Sequence, residues 1–182
     1  MRLLTILFAS LTLLSGCGQA TLVKRGTDNP LYPPPVGTVV QLHKALTVPG
    51  GHTRVFMQRG EVVSKQGFDR YVPSCNFEIN TLSDQPREIL PESFIVVRVQ
   101  DETSEVVLNP QSRMLASLAL ADGDFSPPMI VRSLHLWVAS DQQPDVRRLT
   151  CRGAFDDMPE AYPPSINEMR AALGDYASLE LP

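Results

Sequence analysis

From residue 36 onward the chain alternates apolar and polar side chains with the two-residue period of β-strands, and Pro, Gly, Asn or Asp interrupts the alternation every few residues. In "GTVVQLHKALTVPGGHTRVFMQRGEVV" this predicts two or three strands around the turns at Pro49-Gly50-Gly51 and Arg59-Gly60. Val40, Leu42, Leu46 and Val48 share one face, Gln41, His43 and Thr47 the other, and Lys44 breaks the pattern. "SCNFEINTL" is the cleanest strand, with Cys75, Phe77 and Ile79 alternating with Asn76, Glu78 and Asn80. In "SFIVVRVQ" Ile95, Val97 and Val99 are in step, but Phe94 and Val96 oppose them, so both faces are expected to be covered. "MIVRSLHLWVAS" sets Leu134, Leu136 and Val138 against Ser133, His135 and Trp137. "VRRLTCRGAF" sets Leu149 and Cys151 against Arg148, Thr150 and Arg152. Short strands between turn signals predict a mainly β chain, an antiparallel β-sandwich or barrel.

Two segments switch to helical spacing. "NPQSRMLASLALADG", 109 to 123, places Met114, Leu115 and Leu118 on one stripe before Gly123, and is the candidate for one inserted helix, with a further strand as the other reading. "SINEMRAALGDY" offers Ser165 as N-cap, Glu168 as its capping-box partner and Gly174 as terminator, predicting a short C-terminal helix at about 165–174. Its stripe of Ile166, Met169 and Leu173 is expected to lie on the sheet.

The N-terminus follows neither period. Arg2 is followed by "LLTILFASLTLLSG", an uncharged run too short for the ~20 apolar residues of a spanning helix. It has the n-region and h-region of an export signal. The run ends in Leu14-Ser15-Gly16-Cys17, which resembles the lipobox of bacterial lipoproteins: a branched apolar residue, two small residues and a cysteine. The resemblance covers only this motif and the apolar run before it, so it implies a processing class and no fold. It implies a signal peptide at 1–16, cleavage before Cys17, and lipid on the Cys17 sulfur with a palmitate-type acyl chain on the new amino terminus. Several acyl chains hold a protein almost permanently, whereas one alone binds reversibly. Gly18 in place of Asp is compatible, in two-membrane bacteria, with an outer-membrane lipoprotein facing the periplasm. Residues 17–36, including "GTDNPLYPPPVG", favour polyproline II and read as a proline-rich tether, leaving 37–182 as a single domain.

Charge and cysteine count sharpen this picture. The net charge of -4 becomes about -5 once Arg2 is removed, which gives no footprint for nucleic acid or an anionic membrane and leaves the lipid as the membrane partner. Of three cysteines, Cys17 is assigned to lipid, so Cys75 and Cys151 remain as a pair. Both fall on the apolar side of predicted strands, and export places them in an oxidising compartment, so a disulfide is expected.

Chemistry is sparse. His43, His52 and His135 lack ligand spacing and acidic company, so no metal, cofactor or catalytic residue is assigned, and each histidine reads as a solvated side chain. The chain has no nucleophile elbow, P-loop or dinucleotide fingerprint. "GFDRYVPSC" reads as a turn with a local ion pair. The one candidate ligand surface is Arg148 and Arg152 with Trp137 on a neighbouring strand, suited to an acidic or sugar ligand. Two function classes follow: a non-enzymatic envelope module that binds or scaffolds an envelope protein or the cell wall, or an envelope hydrolase acting on cell-wall or lipid substrates, whose catalytic carboxylates the sequence does not single out.

Overall fold

The computed structural model describes residues 27–64, 67–105, 129–158 and 160–182. The expected signal peptide, Cys17, the first part of the tether and the candidate helix at 109–123 lie outside them. The chain is mainly β, with a curled antiparallel sheet that forms a half-barrel. In chain order the elements are β1 (Val39–Leu42), β2 (Leu46–Val48), β3 (Arg54–Gln58), β4 (Glu61–Val63), β5 (Ser74–Ile79), β6 (Arg87–Ile89), β7 (Ser93–Glu105), β8 (Met129–Ala139), β9 (Val146–Arg152), β10 (Asp156–Asp157), α1 (Ile166–Leu173) and β11 (Ala177–Glu180). The main sheet runs β11-β1-β7-β8-β9-β5-β3-β4, with β10 added to β8, and β2 and β6 form a separate ribbon.

The concave face is the core. Val40 and Leu42, Phe77, Leu136 and Leu149 are fully buried there, as the two-residue period requires. An open half-barrel leaves this face uncovered, and α1 covers it with Ile166, Met169, Ala172 and Leu173 while touching β3, β5 and β11. The helix starts where its capping box places it: Ser165 Oγ accepts from the Glu168 amide, and the Ser165 amide donates to Glu168 Oε2. It also ties both ends of the sheet together. The Gly60 amide in the β3–β4 turn donates to Ala172 O at 3.1 Å, and Arg170 Nη2 donates to Leu179 O of β11 at 2.9 Å. Gly174, with φ at 54°, ends the helix where its Cα packs against Gly60, leaving no room for a side chain.

Two irregularities set which residues face outward. On β7, Val96 pairs with Val138 but Arg98 pairs with Trp137, so Val97 is an extra residue. The bulge shifts the alternation: Phe94 and Val96 are buried, Ile95 and Val97 are each 52% exposed, and Val99 returns to the core side. The expectation that both faces of this strand are covered is corrected accordingly. On β9, Glu78 of β5 pairs with Arg148 and Ile79 with Val146, which makes Arg147 the extra residue.

Cys75 and Cys151 stand directly opposite in the β5–β9 ladder, Cα atoms 4.0 Å apart and sulfurs at bonding distance. Within the segment 17–36 that reads as a tether, Asn29 is buried, and the Asn167 amide of α1 donates to Thr27 O at 3.0 Å.

The bridge spans 76 residues, so replacing both cysteines by alanine is expected to lower stability by about 4 kcal/mol on loop-closure grounds, read from urea unfolding under oxidising conditions. Gly174→Ala is expected to lose roughly 2–3 kcal/mol, from the positive φ and the collision with Gly60 together, with the loss appearing as faster unfolding and a lower midpoint.

Candidate functional site

The convex face is built in rungs, because residues in register on neighbouring antiparallel strands lie side by side. One rung crosses five strands: Arg98 of β7 pairs with Trp137 of β8, Trp137 with Arg148 of β9, Arg148 with Glu78 of β5, and Glu78 with Arg54 of β3. The next rung is Gln100, His135, Thr150, Asn76 and Phe56, and a third is Glu102, Ser133, Arg152 and Ser74.

The first rung concentrates charge. Glu78, with its side chain 6% exposed, accepts from Arg54 Nε at 3.0 Å, from Arg148 Nε at 3.0 Å and from Arg147 Nη1 at 3.3 Å. The β9 bulge lets two consecutive arginines reach one carboxylate. Burial pushes the Glu78 carboxyl up, but the hydrogen bond from Arg148 and the charges of Arg54 and Arg148 together outweigh it and hold the group below its ordinary value of 4.5. Around Trp137 the guanidinium carbons of Arg98, Arg147 and Arg148 stand 4.1, 4.8 and 5.1 Å from the ring centre. The indole Nε1 is buried and has no hydrogen-bond partner among the described residues.

The middle rung is polar and yet buried: His135 is 5% exposed, Asn76 2% and Thr150 2%. His135 is therefore not solvated, as its strand position suggested. Its Nε2 lies against the Glu102 carboxylate, which can only accept, so this nitrogen carries a proton, and its Nδ1 is 2.9 Å from the Thr150 hydroxyl. That hydrogen bond is the main reason the Glu102 carboxyl is lowered. Arg152, in the third rung, has no ion pair within 4 Å among the described residues. Burial and then the nearby charge of Arg54 disfavour its charged form, while Glu102 favours it.

Of the three residues expected to form a ligand surface, the structure brings Trp137 and Arg148 into contact and puts Arg152 on the same face two rungs away. Arg98, Arg147, Arg54 and Glu78 complete it. In the sequence these last four are ordinary strand charges, and only the pairing order and the two bulges assemble them. The Asp69 turn does hold an ion pair, but with Arg59 at 3.1 Å.

Among the described residues two cavities stand out, the second reaching the Arg54 end of this rung. One of about 540 Å³ is walled by Asp28, Asp156, Glu160 and Glu168 beside the start of α1, where Glu168 is committed to the helix cap and Asp28 to Asn167. The other, about 430 Å³, lies at the sheet edge between Arg54, Phe56, Val62 and Val63. No family model, no characterised protein and no solved structure matches this chain.

Glu78→Gln removes the one carboxylate shared by three arginines and is expected to destabilise the domain by roughly 2–3 kcal/mol at neutral pH, a cost limited by the partial exposure of Arg54 and Arg147. Because the folded-state pKa is lowered, this stabilisation is complete above the ordinary value of 4.5 and is lost as pH falls through the folded value. The gap between wild type and variant in urea midpoints should therefore close on acidification below 4.5, and a gap independent of pH would contradict the assignment.

Proposed function

We propose that this chain is an envelope lipoprotein, anchored through lipid on Cys17, whose β-domain is a non-enzymatic module that binds an envelope protein or the cell wall through its convex face. The observation that carries the reading is the Arg98–Trp137–Arg148 rung with Arg147. Guanidiniums stacked on an indole over a paired sheet are already ordered, so little entropy is lost when they meet a partner. Trp and Arg are also the side chains that most often dominate binding energy. The hydrolase reading needs a carboxyl held protonated near neutral pH, and Glu78 and Glu102 are both displaced the other way. An outer-membrane site facing the periplasm accords with Gly18 after the cysteine.

Cys17→Ala is expected to abolish acyl labelling and release the protein from the membrane fraction. Retention and labelling at wild-type levels would remove the anchor from the proposal. The paired variant Arg98→Ala/Arg147→Ala, kept folded as judged by its thermal midpoint, is expected to lower co-sedimentation with isolated envelopes by about tenfold in the Cys17→Ala background, since a central contact is worth 1 kcal/mol or more.

A further inference from the structure

We infer that the convex face holds a site for one oxyanion, a phosphate or carboxylate group, seated between Arg148 and Arg152 above Thr150 and Asn76. This rests on the binding reading above and names the chemistry that the face would take.

Arg148 and Arg152 flank Thr150 on β9, and their outward positions are fixed by pairing with Glu78 and Ser74. Between them the floor is polar and closed: Thr150 and Asn76 are each 2% exposed and His135 5%, on the face that carries no apolar core. Asn76 Nδ2 donates to Thr150 O, but Asn76 Oδ1 has no partner, which leaves a buried acceptor for a ligand hydroxyl or a protonated oxyanion.

The charges around this floor do not balance. Glu78 is divided among Arg54, Arg147 and Arg148, and Glu102 is hydrogen-bonded to His135. Arg152 is left half-buried with no carboxylate within ion-pair distance among the described residues, and it feels repulsion from Arg54 and Arg148. Glu102 attracts Arg152 from beyond ion-pair distance and offsets this only in part, and a half-buried cation without a paired carboxylate marks a functional position. An oxyanion between Arg148 and Arg152 would remove the imbalance. The cations are all arginine, whose planar fork presents paired donors to a phosphate or carboxylate. Arg148 gives its Nε–Nη2 edge to Glu78 and is held by stacking on Trp137, so its Nη1 side is what remains for the oxyanion and Arg152 supplies the paired donors.

The test uses the full lipidated chain in zwitterionic detergent, with thermal unfolding followed against inorganic phosphate at constant ionic strength. Wild type is expected to show a saturable rise in midpoint. Arg152→Gln is expected to unfold at the same temperature as wild type or higher without phosphate, and to bind phosphate about tenfold or more weakly. Arg152→Lys should fall between them, and Lys44→Gln, distant from the face, should keep the wild-type response. Galacturonate tests a sugar-borne carboxylate, and phosphatidylglycerol against phosphatidylcholine vesicles tests a lipid headgroup. No phosphate-dependent rise in wild type, or the same rise in Arg152→Gln, overturns the site. Attachment to phosphatidylglycerol vesicles without response to either free anion overturns it too, since that is diffuse attraction to a charged surface. Loss of envelope co-sedimentation in Arg98→Ala/Arg147→Ala with phosphate binding intact would separate the partner reading from the anion site, and phosphate binding intact in Arg152→Gln would fail the site alone.

Discussion

A half-barrel exposes its concave apolar face unless something lies across the opening, and in this chain that covering is α1. The helix is eight residues long, too short to persist alone in water, so its own stability comes from the face it covers. The dependence is mutual: the β11 edge is tied to the helix through Arg170, and the β3–β4 edge through the Gly60 amide. With both margins tied, the curl of the sheet is fixed. The convex face inherits that fixity, and its side chains are held at set spacings.

The central strands are then used on both sides. Every residue of β5 is buried, so it lacks the usual division into a dry face and a wet one. Cys75, Phe77 and Ile79 face the core, and Asn76 and Glu78 lie under their own neighbours. Burying a carboxylate is tolerable here because three guanidiniums surround it, and burying His135 because both its ring nitrogens have partners. The result is a polar layer stacked on an apolar one with a single pleated sheet between them. A change at Glu78 therefore propagates as charge, whereas a change at Phe77 propagates as packing.

Alternation alone made the strand faces legible, including Leu134, Leu136 and Val138 against His135 and Trp137. The helix was legible from cap to terminator, since Ser165, Glu168 and Gly174 each satisfy a local backbone requirement. The cysteine pair followed from counting and pattern together. What was hidden shares one cause: it depends on register between distant segments. Val97 and Arg147 give no sign in the sequence of being extra residues, yet each inverts the alternation beyond it, and that is how Arg98 comes to face Trp137. Glu78 and Arg54 are 24 residues apart and meet only because β3 and β5 pair. Net charge concealed the patch outright, since an acidic total of -4 is compatible with a face on which arginines outnumber carboxylates.

That contrast between the total and the face has a consequence for approach. Toward an anionic partner such as the one proposed, an acidic molecule would be repelled in most orientations and admitted in the one that presents the arginine rung, so its field would select an orientation before contact. The path of the chain agrees with such a role. Thr27 is bonded to Asn167 at the start of α1, on the concave side, and the convex face lies on the other side of the sheet. In the anchoring proposed above, the chain enters the domain at Thr27 on the helix side, opposite the rung of Arg98, Trp137 and Arg148. Helix, sheet and rung thus divide the molecule: α1 closes the core and meets the incoming chain at Thr27, and the sheet separates that side from the face that carries the arginine rung.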